Sequence, residues 1–113
     1  MKIDTERKTK LEKELNRITE ILRTQYAPEK ILLFGSLVTG NTHRWSDIDL
    51  VIVKSTTKRF IERLKEVALL TQPQVGVDFF VYTPEEFEEM TKEKTVFQRT
   101  EMLEKGKVIY DRC

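Results

Sequence analysis

Cysteine and histidine are almost missing from this sequence of 113 residues, which contains one of each. A single cysteine, Cys113, leaves no partner for a disulfide within the chain and excludes a metal centre built on several thiolates. With His43 as the only imidazole, the ligands of any metal have to be mainly oxygen atoms. Such ligands favour magnesium or manganese over zinc.

Excess charge and long apolar runs are lacking too. The 20 lysines and arginines nearly balance the 19 acidic residues, so the net charge of +1 gives no general reason to coat nucleic acid. No apolar stretch approaches the roughly 18 residues of a membrane span, and the charged N-terminus lacks the features of a secretory signal. We therefore expect a cytoplasmic protein without membrane contact.

Repeats, low-complexity tracts and linkers are also absent, which predicts a single domain over residues 1–113. The first half of the chain is predicted to contain a helix ending at Pro28, a strand at 31–34, a short helical turn at 35–40, a polar loop at 41–45 and a strand at 47–53. The second half is predicted to contain a helix to about 70, a strand at 75–82, a helix opening at Thr83, a helix at 95–104 and an edge strand at 107–110. This order predicts an α/β (α+β) fold, with a small mixed β-sheet flanked by helices.

Several details of the predicted helices can be tested individually. The first helix has candidate caps at Asp4, Thr5 and Thr9. The helix that ends near residue 70 has candidate caps at residues 55–57. Thr83, followed by Pro84 and by Glu86 three residues later, predicts a capping box. The buried side of the helix ending near residue 70 is predicted to comprise Phe60, Leu64, Val67 and Ala68. The basic stretch beside it is expected to be a solvated face, with the steering of an RNA or of an acidic partner left open; it comprises Lys54, Lys58, Arg59, Arg63 and Lys65.

Three aspartates stand within predicted strands, where a carboxylate is disfavoured. Asp47 and Asp49 share one face of their strand, because side chains alternate along a strand. Asp78 lies inside an apolar run, where desolvation of its charge needs compensation. If the two strands are neighbours, the three carboxylates form one acidic cluster that a divalent cation would stabilise.

A glycine–serine pair follows the first predicted strand directly. Gly35 permits a sharp turn, and the amides that follow it, with the Ser36 hydroxyl, predict an anion site at the start of a short helix. Taken alone, such a pair usually marks only a strand-to-helix turn, and an isolated Asp-x-Asp is equally weak.

Together these motifs resemble a known family. Gly35-Ser36, ten residues, Asp47-Ile48-Asp49-Leu50 and a later strand aspartate are similar to the signature of the polymerase-beta-like nucleotidyltransferase superfamily. The stretch from Gly35 to Leu50 resembles most its smallest members, the minimal nucleotidyltransferase (MNT) domains. The resemblance implies the nucleotidyltransferase fold.

The resemblance also implies a reaction. An acceptor hydroxyl would attack the α-phosphorus of a nucleoside triphosphate, with ATP as the expected donor and pyrophosphate as the leaving group. Asp47, Asp49 and Asp78 would be catalytic and would hold two Mg²⁺ ions, with Mn²⁺ as an alternative. Asp78 would act as the base, and Gly35 and Ser36 would bind the nucleotide phosphates.

The acceptor is open among three alternatives. MNT domains are commonly antitoxins that modify a HEPN-domain ribonuclease with AMP, so the resemblance favours a protein adenylyltransferase acting on a HEPN partner. The second alternative is a non-catalytic module that neutralises its partner by binding. The third is a small-molecule transferase of the antibiotic-modifying type, which would need to dimerise to complete its substrate site.

Overall fold

The computed structural model describes residues 2–34, 48–93 and 107–112. These ranges contain three α-helices, one π-helical turn and four strands. They are α1 (Lys2–Ile21), the π-helical turn (Leu22–Tyr26), β1 (Lys30–Phe34), β2 (Ile48–Val53), α2 (Phe60–Thr71), β3 (Val77–Tyr82), α3 (Pro84–Glu93) and β4 (Lys107–Asp111). The turn, loop and helix predicted at 35–40, 41–45 and 95–104 lie outside the described residues.

The four strands form one mixed sheet in the order β3-β2-β1-β4. β1 pairs antiparallel with both β2 and β4, whereas β2 and β3 run parallel and are joined through α2. A parallel pair needs such a crossover, while the β1–β2 pair does not. The predicted mixed sheet and the edge strand near the C-terminus are therefore confirmed.

The main core lies on the face of the sheet that packs against α1 and α2. The first helical stretch has apolar residues at helical spacing, Leu11, Leu15, Ile18 and Leu22, which predicts a buried stripe. All four are buried, and they belong to one core with Ile48, Leu50 and Ile52 of β2. Complete burial of each such aliphatic side chain contributes about 1.5–3 kcal/mol. The opposite face carries a smaller apolar cluster of Leu32, Val51 and Val53, against which Phe87 of α3 packs.

Two of the predicted helix boundaries are confirmed. The first helical stretch ends at Tyr26, two residues before Pro28, and Ala27 closes it with φ 52° by donating its N–H to the Leu22 carbonyl. In α3 the predicted capping box is present: Glu86 donates its N–H to Thr83 Oγ1 over 3.1 Å, and Thr83 donates its N–H to Glu86 Oε1 over 2.9 Å.

Other predicted boundaries are wrong. α1 is already helical at Lys2, so none of its candidate caps begins it. α2 begins at Phe60, with Arg59 at the N-cap and no side-chain cap. The predicted caps at residues 55–57 therefore lie before the helix and do not begin it. Instead, Thr56 Oγ1 accepts the N–H of Lys58 in the preceding turn. β3 begins at Val77, two residues later than predicted.

The buried face of α2 agrees only in part with the predicted one. Val67 is completely buried and Leu64 packs against the core as predicted, whereas Phe60 is 40% exposed and Ala68 is exposed. The other buried residues of the helix are Arg63 and Thr71. The buried face is thus turned toward Arg63, whose side chain donates to the Val81 carbonyl of β3 beside the apolar residues of the helix. Among the described residues, no helix combines the length and the hydropathy needed to cross a membrane.

Candidate active site

Asp49 and Asp78 face each other on neighbouring parallel strands. They are partners in the β2–β3 register, in the pair that follows Ile48 and Val77 at the start of the ladder. Directly paired residues project to the same face, and neighbouring strands lie about 4.8 Å apart. Two carboxylates therefore meet at the end of the sheet where β2 and β3 begin.

The two carboxylates differ in their exposure. Asp49 is buried, with 6% of its surface exposed, because β2 is an inner strand flanked by β1 and β3. Asp78 is exposed, since β3 lies at an edge of the sheet formed by the described strands. One carboxylate is thus held in the protein while its neighbour is accessible to a second molecule.

Within the described strands, the side chains next to the pair on its face of the sheet are apolar. Asp49 is also the register partner of Phe34, the last residue of β1. The next row on the same face consists of Leu32, Val51 and Phe80. A buried carboxylate beside apolar side chains is costly unless charge or hydrogen bonds compensate it. A divalent cation is one such compensation.

The other three predicted site residues, Gly35, Ser36 and Asp47, lie outside the described residues. Their neighbours in the chain are described: Phe34 precedes Gly35, and Ile48 follows Asp47. Phe34 pairs with Asp49, so the strand ends on either side of residues 35–47 meet at the carboxylate end of the sheet.

The described carboxylates fit a magnesium ion by their chemistry. Mg²⁺ prefers oxygen ligands and is usually held by one or two carboxylates together with substrate phosphates. Asp49 and Asp78 supply two such groups on one face. Residues 2–34, 48–93 and 107–112 contain no group of three or more His, Cys, Asp or Glu side chains that could hold a metal ion, and the third predicted ligand, Asp47, is not among them.

The basic stretch beside α2 is solvated in part, as predicted: Lys58, Arg59 and Lys65 are exposed, whereas Lys54 and Arg63 are not. Lys58 pairs with Glu66 over 2.6 Å, and the Arg59 side chain pairs with Glu62 over 3.2 Å. Lys54 Nζ donates to the Tyr26 carbonyl over 2.6 Å and lies 4.9 Å from the centre of the Tyr26 ring. With Arg63 buried, four of these five cations serve contacts within the fold.

Two tyrosines in the fold remain protonated near neutral pH. Burial raises the pKa of Tyr26 to about 12, and the nearby Glu66 carboxylate acts in the same direction. Burial also raises the pKa of Tyr82, which lies at the opposite end of β3 from Asp78. Neither phenol is therefore poised to act as a base.

Two buried charges, Glu14 and Arg63, were not predicted from the sequence. Glu14 lies three residues after Leu11 and four before Ile18, and Arg63 lies four residues before Val67. Each thus occupies a core-facing position of its helix, which is the signal that could have revealed it. Both are paired: Glu14 with Arg17 over 2.7 Å and Arg63 with Glu86 over 2.7 Å.

Comparison with known proteins gives one family and a group of related folds. Residues 16–113 match the family model described as "Polymerase beta, Nucleotidyltransferase". A candidate nucleotidyltransferase from Sulfolobus solfataricus superposes with a TM-score of 0.68 at 19% identity, covering 96% of this chain and 87% of that one. A search of curated proteins gave no significant match.

Two of the similar solved structures are toxin–antitoxin complexes. A variant of the MntA-HpeT toxin–antitoxin has a TM-score of 0.55 at 25% identity, over 85% of this chain and 71% of the other. A toxin–antitoxin with AMP-PNP has a TM-score of 0.54 at 24% identity, over 85% and 72% of the two chains.

Proposed function

This chain belongs to the polymerase beta nucleotidyltransferase family, and on that basis we propose that it is a magnesium-dependent transferase that moves a nucleoside monophosphate from a triphosphate to a hydroxyl of a partner protein. The observation that carries the proposal is the register pairing of Asp49 with Asp78 on one face of the sheet. In-line transfer of this kind requires little covalent chemistry from the protein, which mainly positions groups and neutralises charge.

The exposure of the two carboxylates supports different roles for them. Asp49, buried on the inner strand, is proposed as a fixed metal ligand. Asp78, exposed on the edge strand, is proposed to accept the proton of the acceptor hydroxyl. Asp47 is proposed as the further metal ligand. A bound magnesium ion supplies neutralisation of phosphate charge and a lowered pKa for the acceptor hydroxyl.

Gly35 and Ser36 are proposed to bind the triphosphate. Gly35 follows Phe34, the residue that pairs with Asp49, so a phosphate-binding turn there would lie next to the carboxylates. Backbone amides and a hydroxyl are suitable donors to phosphate oxygens. ATP is the proposed donor; a protein of the same fold has been solved with AMP-PNP, an analogue of ATP.

The proposed acceptor is a hydroxyl on a toxin of the HEPN type, which this chain would inactivate as its antitoxin. The likeness to the MntA-HpeT toxin–antitoxin, at 25% identity, supports a toxin as the partner. The proposed reaction leaves AMP covalently attached to the partner and releases pyrophosphate.

The test is a transfer assay on the chain coexpressed with the protein encoded beside it in the genome. Intact-mass spectrometry should reveal one or more added nucleotides on that neighbour, and label from α-³²P-ATP should reach it only when Mg²⁺ or Mn²⁺ is present. Asp49→Asn and Asp78→Asn should each lower the rate by roughly 100-fold or more, the usual effect of losing one electrostatic element of a catalytic site.

Asp111→Asn is the matched control for these variants. Asp111 is an exposed carboxylate on β4 that pairs with Lys30 over 3.8 Å, and such surface pairs contribute about 0–1 kcal/mol. Its rate should equal that of the wild-type protein. Transfer at the wild-type rate by Asp49→Asn would rule out the proposed mechanism, and an unmodified partner that is nevertheless inhibited would favour neutralisation by binding alone.

A further inference from the structure

Glu14 of α1 ties the segment between α2 and β3 to the first helix. Its Oε2 accepts the backbone N–H of Gln74 over 2.6 Å, and its two carboxylate oxygens accept two N–H groups of Arg17 over 2.8 and 2.7 Å. Arg17 Nη2 also donates to the Gln72 carbonyl over 3.3 Å. Glu14 is only 8% exposed, so its carboxylate is largely shielded from water by these contacts.

These contacts hold the residues that lead into β3. Gln72, which ends α2, has a left-handed backbone with φ 42°, and Gly76 accepts the N–H of Ile48 over 3.1 Å. Asp78 lies four residues after Gln74, so chain length keeps their Cα atoms within about 14 Å. The Glu14 carboxylate is therefore one of the anchors immediately before the strand that carries Asp78.

The position of Asp78 in the ladder makes that anchor important. The Asp49–Asp78 pair is the second of six pairs in the β2–β3 ladder, next to the end at which both strands begin. Terminal pairs open more easily than central ones because fewer hydrogen bonds have to break. The ladder fixes the register of β2 and β3. The residues between α2 and β3, 72–76, influence how often the first two pairs, Ile48–Val77 and Asp49–Asp78, open.

We infer that Glu14 is a positioning residue, which sets the distance between the Asp78 and Asp49 carboxylates by clamping Gln74 to α1. This inference rests on the function proposed above, because the distance between the carboxylates matters only if both act on the same metal and acceptor. The Arg17 guanidinium holds the pKa of Glu14 below its usual range, so the carboxylate stays charged at neutral pH.

The decisive variants are Glu14→Ala, which removes the clamp, and Glu14→Gln, which keeps one oxygen for the Gln74 N–H. Glu20→Ala is the matched control: Glu20 also pairs with an arginine three residues later on α1, but the pair is exposed. Misplacement of a catalytic group by about 1 Å can lower a rate by about 100-fold. Glu14→Ala should therefore lower kcat by about 10- to 100-fold while KM for ATP changes less than about twofold.

Two further measurements separate positioning from simple destabilisation. Hydrogen exchange of Val77 and Asp78 should become at least about tenfold faster in Glu14→Ala, while exchange of Val81 and Tyr82 at the other end of β3 stays unchanged. The apparent Mn²⁺ dissociation constant should rise in the same variant. Glu14→Gln should keep kcat within about threefold of the wild-type value, and Glu20→Ala should match the wild type in every assay.

The outcomes distinguish this inference from the proposed function. Wild-type protein that neither binds Mn²⁺ nor transfers a nucleotide would refute the proposed function, and with it the role of Glu14. Active wild-type protein together with a Glu14→Ala variant equal to Glu20→Ala would refute the positioning role alone. Uniformly faster exchange along β3 in Glu14→Ala would likewise reduce Glu14 to a general stabilising residue.

Discussion

Replacing Arg63 with alanine should be among the most destabilising single changes in α2. The Arg63 guanidinium connects three segments: it donates to the Lys58 carbonyl over 2.8 Å, to the Val81 carbonyl over 3.1 Å and to Glu86 Oε1 over 2.7 Å. The side chain is 7% exposed, whereas that of Glu86 is 47% exposed. The alanine variant therefore loses buried contacts on one side and a partly hydrated ion pair on the other.

The magnitude follows from this asymmetry. Glu86 can be rehydrated once Arg63 is gone, so the ion pair itself accounts for about 1 kcal/mol or less. The Val81 carbonyl loses a charged donor inside the protein, and a buried acceptor left unsatisfied costs about 1–3 kcal/mol. Together these contributions give an expected loss of about 1–4 kcal/mol in the free energy of unfolding, which lowers Tm by about 4–17 °C in a chain of this size.

Urea unfolding followed by circular dichroism measures this loss directly. Arg59→Ala is the control, because Arg59 precedes the same helix and pairs with Glu62 but is 80% exposed. It should change stability by no more than about 0.5 kcal/mol. Arg63→Lys should recover only part of the lost stability, because an ammonium group cannot reproduce the planar guanidinium, which donates to several acceptors at once. If Arg63→Ala and Arg59→Ala unfold at the same urea concentration, the buried network does not stabilise the fold.

Three further predictions concern the cap of α3, a buried carboxylate and the metal. Thr83→Ala should cost about 1 kcal/mol in urea unfolding, because the variant loses the oxygen that accepts the Glu86 N–H; an unchanged midpoint would contradict this. The lowered pKa of Glu14, caused first by its hydrogen bonds with Arg17, means that its charged form stabilises the folded state. That contribution should be present above the ordinary pKa of about 4.5 and vanish as the pH falls through the lower folded pKa, so the urea midpoint of Glu14→Gln should depend less on pH between 6 and 3. Mn²⁺ at about 100 times its dissociation constant should stabilise the wild-type protein by about 2.7 kcal/mol in thermal unfolding, and equal shifts in Asp49→Asn and Asp78→Asn would place the metal elsewhere.

Predictions from local pattern succeeded where the cause is itself local. The capping box at Thr83 depends on residues three apart, and it formed as predicted. The apolar stripe of α1 and the strands around Leu32, Leu50 and Val81 follow from spacing and side-chain type, which a buried face selects. The order of these elements was enough to predict a mixed sheet, since a short connection and a helical crossover permit different strand pairings.

Details that depend on distant partners could not be predicted in this way. The burial of Arg63 depends on Glu86 and on the Val81 carbonyl, which lie 23 and 18 residues further along the chain. Glu14 is buried because the backbone of Gln74, 60 residues away, supplies its third hydrogen bond. A charged residue in an apolar stripe can signal burial, but its partner becomes known only when the chain is folded.

In the candidate site, too, the local sequence predicted some features, and others depended on distant parts of the chain. The spacing of aspartates within strands already identified Asp49 and Asp78 as costly carboxylates, because each interrupts a strand whose neighbours are apolar. Their meeting depended on β2 and β3 becoming parallel neighbours in a register that pairs the two residues, and on the edge position of β3 that leaves Asp78 exposed. Strand order and register arise from packing across the whole domain, so they belong to the folded molecule rather than to any local stretch of its chain.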